Sequence, residues 1–200
     1  MITGIDISDK NGSLIPRKLI GNDIHFAYIK ASEALNSADR CYNENISIAK
    51  KQGFLVGAYH WLHPRLHVGQ QAEFFMEIVG DFSGMLPPVV CLNTHRARIE
   101  EIEKNIQTFL KILKSATGVN PVIFTSAQYW ENFLPSAGWA SEYPLWIDYP
   151  GSNWPAQLFP WAGWHFWQKD DRGKMPGVLS EVGLNVFNGS RAELEQMVVR

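Results

Sequence analysis

The sequence predicts an α/β fold built mainly on parallel strands, as a barrel or a doubly wound sheet. Three observations lead there. Short apolar runs with strand character recur along the chain. Most of them are separated by stretches with helical spacing, the pattern of strands covered on both faces. The C-terminal part has no long helical run, which argues against a complete ring of eight helices.

Taken in order, residues 3–8 (TGIDIS) form the first strand and a loop follows. Residues 24–32 (IHFAYIKAS) are the second strand, and 43–52 are helical. Residues 53–62 (GFLVGAYHWL) are a strand, followed by a helix over 68–82. The strand at 87–93 (PPVVCLN) leads to a helix over 97–116. There Ile99, Ile102, Ile106, Phe109, Leu110 and Leu113 recur near the helical period. Strands at 120–126, 144–148 and 164–168 complete the set. Residues 169–174 (KDDRGK) lack the alternating oxygen ligands of a calcium loop and are expected to be a solvated turn. With no linker or internal repeat, residues 1–200 are expected to form one domain.

Composition narrows the function. A net charge of -2 gives no reason to expect a nucleic-acid partner. No apolar run approaches the roughly 20 residues of a membrane span, and no signal peptide is visible after Met1. Cys41 and Cys91 form no CxxC pair, so neither a disulfide framework nor a structural zinc is expected. Glycine-rich phosphate loops are absent, and no cofactor is expected. Eight tryptophans offer rings for the core, and also for lining a cleft that takes flat ligands or sugars.

Candidate chemistry is sparse. Asp6, between two isoleucines, is either a strand-end catalytic carboxylate or the cap of the next loop. His60, His63 and His67 lie near one another, but Pro64 breaks any helix and no acid or cysteine completes a metal set. His60 is expected to be a hydrogen-bonding residue at a strand end. In "LPPVVCLNTH" (86–95), Cys91, Asn93 and His95 share one face of a strand. Cys91 and His95 would be about 13 Å apart there, too far for a nucleophile and its base. A buried, inert thiol is the expectation for Cys91.

Together these segments resemble glycoside hydrolase family 25, the Chalaropsis-type lysozymes also found as phage endolysins. "GIDIS" with Asn11-Gly12 resembles the opening Asp-x-Ser…Gln-Gly strand of that family. "FAYIKASEA", with Lys30 and Glu33, is similar to its second strand, and "GFLVGAYHW" to its Gly-x-Tyr-His strand. "PVIFTSAQYW" and "PLWIDY" follow in order, and "WHFWQ…GKMPGVLSEVGLNVFNGS" resembles the closing segment.

The resemblance implies a modified (β/α) barrel with reduced helices in its C-terminal part. It also implies a glycan cleft that needs no metal or cofactor. Active members cut peptidoglycan between N-acetylmuramic acid and N-acetylglucosamine. They use an Asp-x-Glu pair, with the Glu as proton donor. "PPVVCLN" aligns with the strand that carries this pair, so Cys91 stands for the Asp and Asn93 for the Glu. Gly183 stands where the family has another Asp, and Asp6 is the acid retained. An amide cannot release a proton at neutral pH, and general acid catalysis is worth about 10²–10⁴-fold.

The resemblance thus implies a lysozyme-like domain that is inactive or very weak. Its partner would be peptidoglycan or a related amino-sugar glycan, met at the cell wall if the family role is kept. Tyr28, Glu33, Tyr59, Trp61, Phe124, Trp146 and Trp167 are its candidate glycan-binding residues. One alternative is a muramidase that uses Asp6 with Asp148 as a substitute acid, Glu33 and Glu181 being further acids in matched segments. A second is a structural part of a larger protein assembly such as a phage tail. Restoring acids at 93, 91 and 183 together is the change expected to return activity.

Overall fold

The computed structural model describes residues 1–92, 99–151 and 153–200. Asn93 and His95 lie outside the described residues. The described residues form the strands β1 (Ile2–Ile7), β2 (Phe26–Glu33), β3 (Ser37–Ala38), β4 (Leu55–Trp61), β5 (Val89–Cys91), β6 (Val122–Ser126), β7 (Leu145–Asp148), β8 (Phe166–Gly173) and β9 (Val182–Phe187). They are accompanied by α1 (Pro16–Leu19), α2 (Tyr42–Lys51), α3 (Val68–Val79), α4 (Ile99–Thr117), α5 (Ala127–Phe133) and α6 (Arg191–Gln196).

Around the sheet the strands run β1-β2-β4-β5-β6-β7-β8-β9, and β9 pairs back onto β1. The ring closes, which selects the barrel over the doubly wound sheet. β3 lies outside it as a short edge strand on β2. Pairing is parallel from β1 through β8. The closing strand β9 is antiparallel to both β8 and β1. The reason is local: residues 174–181 are too few for the crossover of a dozen or more residues that a parallel partner needs.

The expected turn at 169–174 is corrected by the same region. β8 runs on to Gly173, pairing with β9 through register shifts at Gln168/Asp170 and Asp170/Gly173. Charged residues tolerate this strand because its bulged half leaves Asp171 and Arg172 exposed.

Two apolar layers follow from strand alternation. Phe26, Tyr28, Val89, Val122, Phe124, Trp146, Phe166 and Phe187 point into the barrel and pack with Leu86 and with Leu194 of α6. Room for these rings comes from small residues: a Cβ on Gly57 of β4 would overlap the Tyr28 ring. Outside, the helices cover the sheet. In α4, Ile102, Ile106, Phe109, Leu110 and Leu113 are fully buried, as their spacing predicts. Between β7 and β8, the described residues of 149–165 contain no helix, so the helical ring is incomplete on that side.

His60 is fully buried on the outer face of β4, stacked at 5.2 Å on Phe109. Its Nδ1 lies 2.9 Å from Ser32 Oγ and its Nε2 lies 3.3 Å from Gln71 Oε1. The Gln71 amide nitrogen donates to the carbonyls of His63 and Leu66, which turns Oε1 toward the imidazole. Nε2 therefore carries the proton, and Nδ1 accepts from the Ser32 hydroxyl. Burial pushes this imidazole down to about 4. His67 instead caps α3 by accepting from the Gln70 N–H, and His63 sits 3.6 Å from Glu33.

Candidate active-site pocket

A cavity of about 140 Å³ opens among Asp6, Tyr59, Trp61, Cys91, Phe124, Trp146, Asp148, Gln168 and Asp171. Asp6, Trp61, Cys91 and Asp148 are at or next to the last residue of parallel strands. This is the end of the barrel where the ladder stops and side chains face solvent. Inward parity puts them together: Trp146 and Asp148 on β7, Tyr59 and Trp61 on β4, and Gln168 two residues after Phe166 on β8.

Asp6 is held by two amides. Its Oδ1 accepts from Gln168 Nε2 and from Asn185 Nδ2, each at 2.7 Å. Trp146 Nε1 donates to Asn185 Oδ1 at 3.0 Å. An indole can only donate, so this contact fixes the Asn185 carbonyl toward Trp146 and its NH₂ toward Asp6. Burial raises the Asp6 carboxyl above the usual range, and the Asp171 charge adds to the rise. The two amide bonds favour the carboxylate and oppose the shift without cancelling it.

Apart from Asp148 and Asp171, the rest of the pocket is aromatic or neutral. Phe124 packs edge-on against Trp146 at 4.9 Å and against Trp61 at 6.0 Å. Cys91 is buried and free of any disulfide. Burial, and then the Asp6 charge, pushes its thiol well above the ordinary range, so it stays protonated and un-nucleophilic. The Tyr59 hydroxyl is raised for the same two reasons.

The structure gathers Asp6, Tyr59, Trp61, Cys91, Phe124, Trp146 and Asp148 from the residues singled out in the sequence. Three others are elsewhere. Tyr28 is fully buried against Trp146 and Phe166, with its hydroxyl on the Pro87 carbonyl. Glu33 is outside the pocket, bonded to Lys30 at 2.6 Å, which with His63 holds its carboxyl below the usual range. Trp167 is on the opposite face of β8, because Phe166 and Gln168 take the inward positions. Gly183 is buried beside Asp6, its register partner across β1 and β9. Sequence reading missed Gln168, Asn185 and Asp171. Two of these had a visible signal, since Gln168 follows Phe166 by two residues and Asn185 precedes Phe187 by two.

Comparisons with known proteins give the ancestry of this barrel. Residues 5–178 match the family described as glycosyl hydrolases family 25. The chain is 31% identical over 205 residues to lysozyme M1 of Streptomyces globisporus, covering 96% of this chain and 70% of that protein. It is 32% identical over 179 residues to the uncharacterized protein YegX of Escherichia coli strain K12, covering 89% of this chain. The match spans 64% of YegX, a little under two thirds of its length. A bacterial lysozyme structure from Streptomyces coelicolor superposes with a TM-score of 0.93 at 30% identity, over 98% of this chain and 96% of that one. A family 25 lysozyme from Aspergillus fumigatus gives a TM-score of 0.90 at 25% identity, over 100% and 99% of the two chains. The chain belongs to glycosyl hydrolase family 25 and has its lysozyme fold. Among the described residues, no helix is long and apolar enough to cross a membrane.

Proposed function

We propose that this lysozyme-fold domain binds peptidoglycan or a related amino-sugar glycan at the Asp6 pocket, and that hydrolysis there is absent or very weak. The observation that carries the reading is Cys91. A buried, protonated thiol stands at the end of β5 beside Asp6, where the resemblance expects a carboxylate. The wall of Tyr59, Trp61, Phe124 and Trp146 supports retained affinity, because aromatic faces suit the apolar faces of sugar rings. Without the acid pair, neither protonation of the leaving oxygen nor support of the positive transition state is supplied in the family's way.

The test combines sedimentation with insoluble peptidoglycan and an assay for new reducing ends. Binding without turnover in the native protein, and turnover gained in Asn93→Glu with Cys91→Asp, is the expected result. Absence of binding, or native turnover at the level of an active family member, overturns it.

A second reading has one observation in its favour: Asp148 lines the same pocket as Asp6. A carboxyl raised by burial paired with a second carboxylate is the arrangement of an acid and a base in glycoside hydrolysis. In this reading the native protein releases reducing ends slowly, and either Asp6→Asn or Asp148→Asn abolishes the release. Turnover that survives both substitutions removes it.

A further inference from the structure

A second aromatic group stands on the outer face of β7 and β8. Trp167 points outward there, its indole N–H donating to the Tyr149 carbonyl at 2.8 Å. Trp164 lies 5.7 Å from it. Trp154 packs against both, 5.6 Å from Trp164 and 6.0 Å from Trp167, with its plane tilted 37° and 31° to theirs. Trp167 is 7% exposed, whereas Trp154 is 61% exposed, so one ring is backing and the other is presented to solvent. Tyr149 and Phe159, also exposed, lie on the same connection between β7 and β8.

We propose that Trp154, backed by Trp164 and Trp167, is a stacking platform for an N-acetylated sugar of a glycan whose neighbouring residues occupy the Asp6 pocket. This rests on the reading of that pocket as a glycan site. Continuity between the two is given by register. Asp148 pairs with Gln168, both lining the pocket, and Ile147 pairs with Trp167 one residue back on the outer face. The platform therefore stands across β7 and β8 from the pocket, level with its mouth. The chain passes from Asp148 of the pocket to Tyr149, whose carbonyl accepts from Trp167, at the strand end over which a glycan would cross.

The chemistry favours a sugar as occupant. A pyranose presents axial C–H groups on a flat face, which pack on an indole, while its hydroxyls remain in water. One exposed ring is enough for that. A stable protein partner would need about 1,200 Å² or more of buried surface, and the exposed Asn153 and Gln157 break up the apolar surface around Trp154. A cavity of about 190 Å³ adjoins the platform, lined by Leu145, Ile147, Pro155, Leu158 and Trp164. Gln157 also lines it, so the cavity offers apolar side chains to the methyl of an acetamido group and a polar one to its amide.

The experiment is calorimetric titration of the native protein with N-acetylglucosamine disaccharide and hexasaccharide. Trp154→Ala is expected to weaken hexasaccharide binding roughly tenfold, the scale of one lost aromatic stacking contact. Disaccharide binding is expected to be unchanged, and Trp154→Tyr to restore most of the loss. Phe124→Leu, a pocket change, is expected to weaken both ligands. Hexasaccharide affinity that is unchanged in Trp154→Ala, with Phe124→Leu still weakening both, overturns the platform and spares the pocket reading. An unaffected Phe124→Leu protein overturns the link to the pocket, and failure of the native protein to bind either oligomer overturns both.

Discussion

The carboxylate of Asp6 occupies the space that a side chain on Gly183 would use. The two residues are register partners on β1 and β9. A Cβ built on Gly183 overlaps Asp6 Oδ1, lies 2.6 Å from Asp6 Cγ and lies 2.7 Å from Gln168 Nε2. The hydrogen bonds from Gln168 and Asn185 to Asp6 thus depend on glycine at 183. Position 183, beside the Asp6 carboxylate, has no room for a second acid.

Restoring an acid at 183 should therefore be harmful in itself. Gly183→Asp must push Asp6 off its two amide donors and sets two carboxylates side by side. Overpacking alone costs about 1–3 kcal/mol, and the lost hydrogen bonds to the carboxylate add to it. Like-charge repulsion adds to this at neutral pH and fades in acid as one of the pair takes up a proton. Urea unfolding at neutral and at acidic pH measures both parts. It should show a loss that shrinks as the pH falls. The expectation of a threefold acid restoration is thereby narrowed to positions 91 and 93.

Asp6→Asn should make the protein more stable at neutral pH while weakening glycan binding. The folded carboxyl is raised by burial, so the folded state binds the proton more tightly than the unfolded one. Above the ordinary carboxylate range the charged form is therefore a cost to folding. The substituted amide keeps a carbonyl that accepts from Gln168 and Asn185, and it removes the charge. Thermal unfolding should give a higher midpoint for the variant near neutrality, with the gap closing as the pH falls toward the ordinary carboxylate range. A lower midpoint at neutral pH would show that the amide bonds outweigh the desolvation.

Trp146→Phe should loosen the same centre from the other side. It keeps most of the aromatic volume against Tyr28 and Phe124 but deletes the N–H that holds the Asn185 carbonyl. The lost bond is worth about 1 kcal/mol. The freed Asn185 amide is then able to turn its oxygen toward Asp6, repelling the carboxylate. The expected result is a small loss of stability together with a larger rise in the Asp6 pKa, read by NMR titration of the Asp6 carboxyl. A stability loss with an unmoved Asp6 titration would mean that Asn185 is held by other contacts.

These couplings mark the limit of what the sequence made legible. Strand parity placed Asp148 and Trp146 on one face, and the spacing of Ile102, Ile106, Phe109 and Leu113 gave the buried stripe of α4. Parity also shows why Trp167 does not belong with the pocket residues, since Phe166 and Gln168 leave it the outer face. The polar centre was harder. Parity with Phe166 and Phe187 puts Gln168 and Asn185 on the inner face, but only closure of the barrel by β9 brings them to Asp6. The charge-rich residues 169–174 read as a turn because bulged pairing, not alternation, accommodates the stretch up to Gly173.

His60 should make the fold sensitive to acid independently of the pocket. In the folded state its imidazole is held neutral, with Nε2–H on Gln71 and Nδ1 accepting from Ser32, and burial lowers it to about 4. The unfolded imidazole titrates near 6.5. Between these values the unfolded chain takes up a proton that the folded chain refuses, so stability falls as the pH falls and levels off below the lower value. The full difference corresponds to about 3 kcal/mol. It is wholly available to the fold above about pH 7, where both states are neutral. His60→Gln keeps a polar side chain without the titration, so it should be less stable near neutrality yet lose less on acidification. Chemical denaturation between neutral and mildly acidic pH measures the two slopes, and parallel slopes would show that other groups carry the acid sensitivity.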